Sequence, residues 1–227
     1  MVAPPGSIAR PHRGTGEDFA ETLRKSTRAL HRMAERSGVI AELLAGRVRP
    51  SAYLLFAFNL LPIYRALEAA LAEHRLHPAL AGLWRPELAR AEALARDVAV
   101  LAAQLPDAPL RLLAPSERYR RRIEAVAADR PERLLAHGYV RHLGDLSGGQ
   151  VLARLLARTP GIGAEAVGFY AFPGLADLGR AKEDYRRAIA RAELQLVDRD
   201  GVIEEAREAF RLNIALSEAV AAAAPGD

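Results

Sequence analysis

Four stretches of the chain carry side chains whose types and spacing can do chemistry. The first is Gly144-Asp-Leu-Ser-Gly-Gly149. At about 100° per residue, Gly144 and Gly148 fall on one helical face, flanked by Arg141 and Asp145. A glycine inside a helix costs about 1 kcal/mol relative to alanine, so this cluster breaks a local rule in the way functional sites do. Without Cβ atoms, a flat ligand can approach the helix backbone itself. The same glycines also suit a close helix crossing or a Gly-Gly cap between two helices, and taken alone they fit packing more often than binding.

The second stretch is Arg24-Lys-Ser-Thr-Arg28-Ala-Leu-His31-Arg-Met-Ala-Glu35. Arg24, Arg28, His31 and Glu35 share one helical face. A lone neutral imidazole can hold a heme iron from one side and leave the other side open for O₂. Glu35, one turn on, can orient the ring, and the arginines can meet ligand carboxylates. A solvated basic face with an incidental histidine is the commoner origin of such a pattern. In the third stretch, Lys182, Tyr185 and Arg186 share a face that can clamp anions or can simply be a charged helix surface. In the fourth, Asn213 sits on an apolar stripe with Phe210, Ile214 and Ser217. There a buried amide needs partners, structural or in a ligand site.

The elements that must position these residues are helical almost throughout. The periodicity predicts helices over about 17–37, stopping at Gly38; from Pro50 past Tyr64 to Leu71, with a kink at Pro62; over about 86–104; from near Pro115; from Pro131 to about Arg158; over about 178–196; and from Asp198 or Asp200 to about Ala221. Residues 159–179, rich in Gly and Pro, read as an ordered loop with one short helical piece. No strand pattern or internal repeat occurs. The expectation is an all-α fold, a single-domain helical bundle over 18–222, with tails at 1–17 and 223–227.

Composition narrows the chemistry further. The 227 residues suffice for one sizeable core. With no cysteine, disulfides, zinc-thiolate sites, iron–sulfur clusters and thiol nucleophiles are excluded, and a reducing, cytoplasmic setting is expected. The net charge of +4 is too mild for a nucleic-acid binder. No uninterrupted apolar run reaches membrane-spanning length, and neither end reads as a signal peptide or anchor.

Together the segments resemble the heme oxygenase family. The likeness is most specific in Tyr139-Val-Arg-His-Leu-Gly-Asp-Leu-Ser-Gly-Gly-Gln150, similar to the family's distal-helix signature. It recurs in Leu30-His31-Arg-Met-Ala-Glu35, similar to the proximal-histidine segment. It continues in Phe169-Tyr-Ala-Phe-Pro173, in Tyr185-Arg186 and in 203–214. In order, these segments span about residues 18 to 217.

The resemblance implies heme b held between a proximal and a distal helix, serving as both substrate and cofactor. Its cleavage by O₂, with electrons from an external donor, yields biliverdin, expected as the IXα isomer, CO and ferrous iron. His31 would be the axial iron ligand, with Glu35 hydrogen-bonded to it and Phe210 in the heme-binding segment. Gly144 and Gly148 would touch heme and bound O₂. Arg24, Tyr139, Lys182 and Arg186 would lie near the propionates. Tyr64, Arg141, Asp145 and Asn213 would order water and supply protons. A ferredoxin or flavodoxin reductase system is the expected electron donor, and a monomer the expected state.

Some positions depart from the family pattern. His142 stands where an aromatic ring is usual, and Arg24 replaces a lysine. Ala181 and Ser217 replace phenylalanines, which leaves the tightness of the pocket wall an open point. A non-catalytic heme-binding or heme-trafficking protein on the same fold is the alternative, against which Asp145 and both distal glycines argue. A di-iron oxidase would need inward carboxylates and Glu-x-x-His pairs, and a thiaminase-like hydrolase a cysteine; neither is present.

Overall fold

The computed structural model describes residues 18–224. Among them every regular element is helical. Eight α-helices follow in order: α1 (Phe19–Glu35), α2 (Gly38–Leu44), α3 (Pro50–Glu73), α4 (Ala91–Gln104), α5 (Ala114–Asp129), α6 (Leu134–Leu156), α7 (Leu178–Ala192) and α8 (Arg199–Ala223). The expected tail over 1–17 lies outside the described residues, as do 225–227.

Local chemistry sets several boundaries. Asp18, Asp177 and Asp198 cap α1, α7 and α8, each carboxylate accepting from a backbone N–H three residues on, at 2.8, 3.0 and 2.8 Å. Asp198, not Asp200, is therefore the cap of the last helix. The predicted third helix is split into a short turn over Pro86–Leu88 and α4. At the break, the Arg90 and Ala91 N–H groups donate to the Glu68 carboxylate on α3. Residues 159–179 hold two single turns, Ala164–Ala166 and Gly168–Tyr170, instead of one.

The sequence reading missed α2. Gly38 looks like a helix stop, and its φ is +50°. Yet it opens a new seven-residue helix, too short for periodicity to reveal.

Helix α8 is the hub, packing against α1, α2, α3, α5 and α6. Helix α3 is apolar nearly all round. By length and composition it could cross a membrane, but most of it is buried in the bundle core. It runs unbroken through Pro62 to carry Tyr64 inward.

Candidate functional site

Helices α1, α2, α3, α6, α7 and α8 and the 168–170 turn enclose a cavity of about 970 Å³, at the upper end of the range for small-molecule and cofactor pockets. On α1 the lining runs from Ala20 to Glu35, and on α6 from Tyr139 to Leu152. Both therefore span about 20 Å at 1.5 Å per residue.

The lining carries Arg24, Lys182, Arg186 and Arg187 with Tyr139, and among them the carboxylates Asp18, Glu21 and Glu183. The Tyr139 hydroxyl lies 3.2 Å from that of Thr27, which sequence reasoning overlooked. Arg24 is forked on Glu21, one turn before it. Burial and the neighbouring Arg186 lower the Lys182 ammonium below its ordinary pKa. Ile40, Leu44, Val151 and Leu152 give the cavity apolar lining from α2 and α6.

His31 projects from α1 into this space, its side chain 58% exposed. Its Nδ1 lies 3.5 Å from Glu35 Oε1, and its ring meets Phe210 edge-on at 5.8 Å between centroids. Arg28, on the same stripe by spacing, is not among the lining residues.

Helix α6 settles the glycine question residue by residue. It is continuous through 144–149, so the Gly-Gly cap does not occur. A Cβ built on Gly144 or Gly148 would meet nothing within 4 Å, and both border the cavity. A Cβ on Gly138 would meet the Tyr185 hydroxyl at 2.5 Å, and one on Gly149 the Tyr170 ring at 3.1 Å. Two glycines of this helix thus serve packing and two open its flank.

Beside the open glycines lies a buried polar network. Tyr64 donates to Asp145 Oδ2 at 2.6 Å. The Arg141 guanidinium donates to the Tyr64 oxygen at 2.8 and 3.0 Å and to Asn213 Oδ1 at 2.7 Å. Phe169 packs edge-on to Tyr64 at 5.1 Å. Its turn is pinned by the Asp97 carboxylate, which accepts the Gly168 and Phe169 N–H groups at 3.0 and 2.7 Å. Burial pushes the Asp145 carboxyl up to about 6, against the pull of Arg141 and Tyr64. Desolvation works against the Arg141 charge, but Tyr64 and Asp145 more than offset it, leaving its pKa raised.

Among the described histidines, only His31 lines the cavity. His137 is fully buried against Glu205, Nε2 to Oε1 at 3.1 Å. His142 is buried with Nδ1 3.5 Å from the Tyr185 hydroxyl, and burial pulls its pKa down to about 4, helped by Arg141 and Arg90. His74 ends α3, and His77 Nδ1 accepts from Ala79 N–H. His12 lies outside the described residues.

Ala181 and Ser217, the two small residues on which the tightness of the pocket wall turns, sit behind the lining. Both are buried and neither lines the cavity.

An imidazole, a helix flank without Cβ atoms and a buried carboxylate network bordering one cavity have the parts that a helical protein binding a flat, metal-centred ligand needs. The heme oxygenase family model matches residues 17–219. The chain is 35% identical to heme oxygenase of Takifugu rubripes over 90% of its own length and 74% of that protein's. It is 32% identical to heme oxygenase 1 of Synechocystis sp., over 87% and 82% respectively. The crystal structure of the Synechocystis enzyme in complex with heme superposes with a TM-score of 0.84 at 30% identity, covering 91% of this chain and 94% of that one. The chain belongs to the heme oxygenase family, oxidoreductases that degrade heme to biliverdin.

Proposed function

We propose that this chain opens heme with O₂ and reducing equivalents at the α-meso carbon, releasing biliverdin IXα, CO and ferrous iron. The observation that carries the reading is the pairing of His31 with the open flank at Gly144 and Gly148 in one cavity. Only a flat ligand uses both.

Heme supplies the iron that binds and activates O₂; the chain's own residues do the rest. His31 would hold the iron through Nε2. With Glu35 Oε1 3.5 Å from Nδ1 to draw the ring proton to that side, the Nε2 lone pair is left available. A neutral imidazole pushes less electron density onto the iron than a thiolate would. Gly144 and Gly148 let the ring lie against helix backbone.

Asp145, with a pKa of about 6, is mainly ionised at neutral pH. Tyr64 occupies Oδ2, so Oδ1 is the oxygen that can hold a water near the reacting centre. Protons then arrive through that water and not from a strong acid in direct contact, which would split the O–O bond wastefully. Arg141 and Asn213 keep Tyr64 aimed at Asp145.

Arg24, Tyr139, Lys182 and Arg186 seat the propionates and so set which meso edge faces the distal helix. The same basic rim suits an acidic electron-donor protein of the ferredoxin or flavodoxin type. A monomer working in the cytoplasm completes the reading.

The test is to add hemin to the pure protein, supply a reductant in air, record spectra and separate the product isomers. Biliverdin with the α isomer in majority is expected. A β or δ majority overturns the seating argument. Stable heme binding with no biliverdin would make the chain a heme carrier.

A further inference from the structure

Ser217 stands on the face of α8 that also carries Phe210 and Asn213, at the helical spacing of three and four. Phe210 touches His31 and Asn213 holds Arg141. The Ser217 hydroxyl reaches a third element. It donates to the Ser37 carbonyl at 2.8 Å and accepts the Ile40 N–H at 3.1 Å. These two bonds bracket the first turn of α2, satisfying one of its otherwise orphaned N–H groups.

The backbones at this point are almost in contact. A Cβ on Gly38 would collide with the Ser217 carbonyl, and Gly38 holds the left-handed φ of +50° that a side chain disfavours. Helix α2 also packs against α1 and α6, so it bridges the proximal and distal walls. Its Ile40 and Leu44 line the cavity, as do Val151 and Leu152 of α6, the helix it packs against.

We propose that Ser217 is a positioning residue that latches α2 against α8 and thereby holds the apolar wall over the edge of the bound heme. Its hydroxyl fixes the wall from outside the cavity, where a bulky aromatic at the same position would have filled space. Gly38 is the other half of the latch, since only glycine allows the backbone to come this close. The inference rests on heme as the occupant of the cavity.

The test compares Ser217→Ala, Ser217→Thr and Gly38→Ala with the wild type in two measurements. One is amide hydrogen exchange over residues 38–44 in the heme-free protein. The other is the rate at which ferric heme leaves the loaded protein for a scavenging apomyoglobin. Ser217→Ala should speed exchange over 38–44 without speeding it elsewhere in α8. It should also raise the heme release rate about three- to tenfold, the equivalent of one lost hydrogen bond. Ser217→Thr keeps the hydroxyl and should stay within about twofold of wild type. Gly38→Ala should exceed Ser217→Ala in both measurements.

Faster exchange with unchanged heme release would overturn the proposal, because the latch would then hold α2 without holding heme. Equal release from the Ala and Thr variants would overturn it too, leaving volume in place of the hydroxyl as the cause. If Ser217→Ala does not fold, the other two variants decide. Faster release from Gly38→Ala with wild-type behaviour in Ser217→Thr upholds the latch, and wild-type release from both sinks it. Failure of the wild type to bind heme would instead break the heme reading, while the exchange arm still reports on the latch.

Discussion

The two walls of the cavity are built on opposite principles. On the distal side, Tyr64, Arg141, Asp145 and Asn213 are joined by hydrogen bonds of 2.6–3.0 Å and all but Asn213 are buried. That wall is organised before any ligand arrives. On the proximal side, His31 and Glu35 are both more than half exposed and meet at 3.5 Å, so on the proposed reading bound heme would complete their order. The division suits the chemistry. A ligand histidine is fixed by the bond it makes, whereas a water that delivers protons can be fixed only by groups that are already in place.

The sharpest way to break the comparison is to remove the proximal anchor. His31→Ala should lower turnover by more than about a hundredfold, beyond the 10–100-fold typical of an outer partner of a metal ligand. Added imidazole should restore part of the rate. Because the side chain is exposed, melting of the heme-free protein should barely move. An undiminished rate in the variant would dismiss His31 as ligand.

Removing the distal acceptor should leave binding intact and spoil the outcome. Asp145→Ala is expected to keep heme affinity near wild type while biliverdin yield falls about 10²-fold or more, the heme being consumed by peroxidase-type oxidation instead. Normal yield would take Asp145 out of the mechanism.

The same residue should show itself in pH dependence. Its carboxyl rises from 3.8 to about 6 on folding, so between these values the folded chain binds more protons than the unfolded one. Stability from this group is therefore present at low pH and lost as pH rises from about 4 to 6. The total is about 3 kcal/mol at 1.36 kcal/mol per unit. Urea titrations across that range should show the slope in wild type and lose it in Asp145→Asn. Biliverdin yield should run the other way, falling as the pH drops below about 6 and the carboxylate is protonated.

How much of this was legible in the sequence follows from the same contrast. The long helices were readable because their periodicity and their start signals agree, as at Pro50 and at the Asp198 and Asp200 pair. The grouping of Tyr64 with Arg141, Asp145 and Asn213 came from family likeness, because residues 77 and 72 positions from Arg141 along the chain share no local pattern. Spacing alone also could not tell Gly144 from Gly138. Both are helix-interior glycines, and only the position of the Tyr185 hydroxyl separates them. Thr27, Glu21 and Asp97 were missed because Thr, Glu and Asp on helices are too common to signal anything until their partners are in view. Helix α2 was missed because a glycine with positive φ reads as an end, and here it also serves as a beginning.

That difference among the glycines of α6 gives a prediction of intermediate size. Gly144→Ala and Gly148→Ala add a Cβ to open space, so each should stabilise the heme-free protein by about 1 kcal/mol while weakening heme binding. Gly138→Ala pushes into a fully buried tyrosine and should cost about 1–3 kcal/mol. Thermal melts of the three heme-free variants, with heme titrations of the first two, check both signs. Destabilisation by Gly144→Ala would show that this flank is packed and not kept clear.

The smallest effect should come from Glu35, and it sharpens the comparison most directly. In the heme-free protein its contact with His31 is half-exposed, and pairs of that kind contribute about 0–1 kcal/mol. Glu35→Gln should therefore leave the melting of heme-free protein unchanged. The distal counterpart behaves differently. Tyr64→Phe removes the hydroxyl that satisfies both Asp145 and Arg141, and stranding buried partners costs about 1–3 kcal/mol with no ligand present. Once heme covers His31, the Glu35 contact is shielded from water and bears on the basicity of the ligand nitrogen. Glu35→Gln should then raise the iron's reduction potential and slow turnover by several-fold, well short of the loss in His31→Ala. The decisive measurement is the pair of melts with and without heme. If Glu35→Gln destabilises the heme-free protein as much as Tyr64→Phe does, the proximal wall is organised in advance after all, and the contrast between the two sides fails.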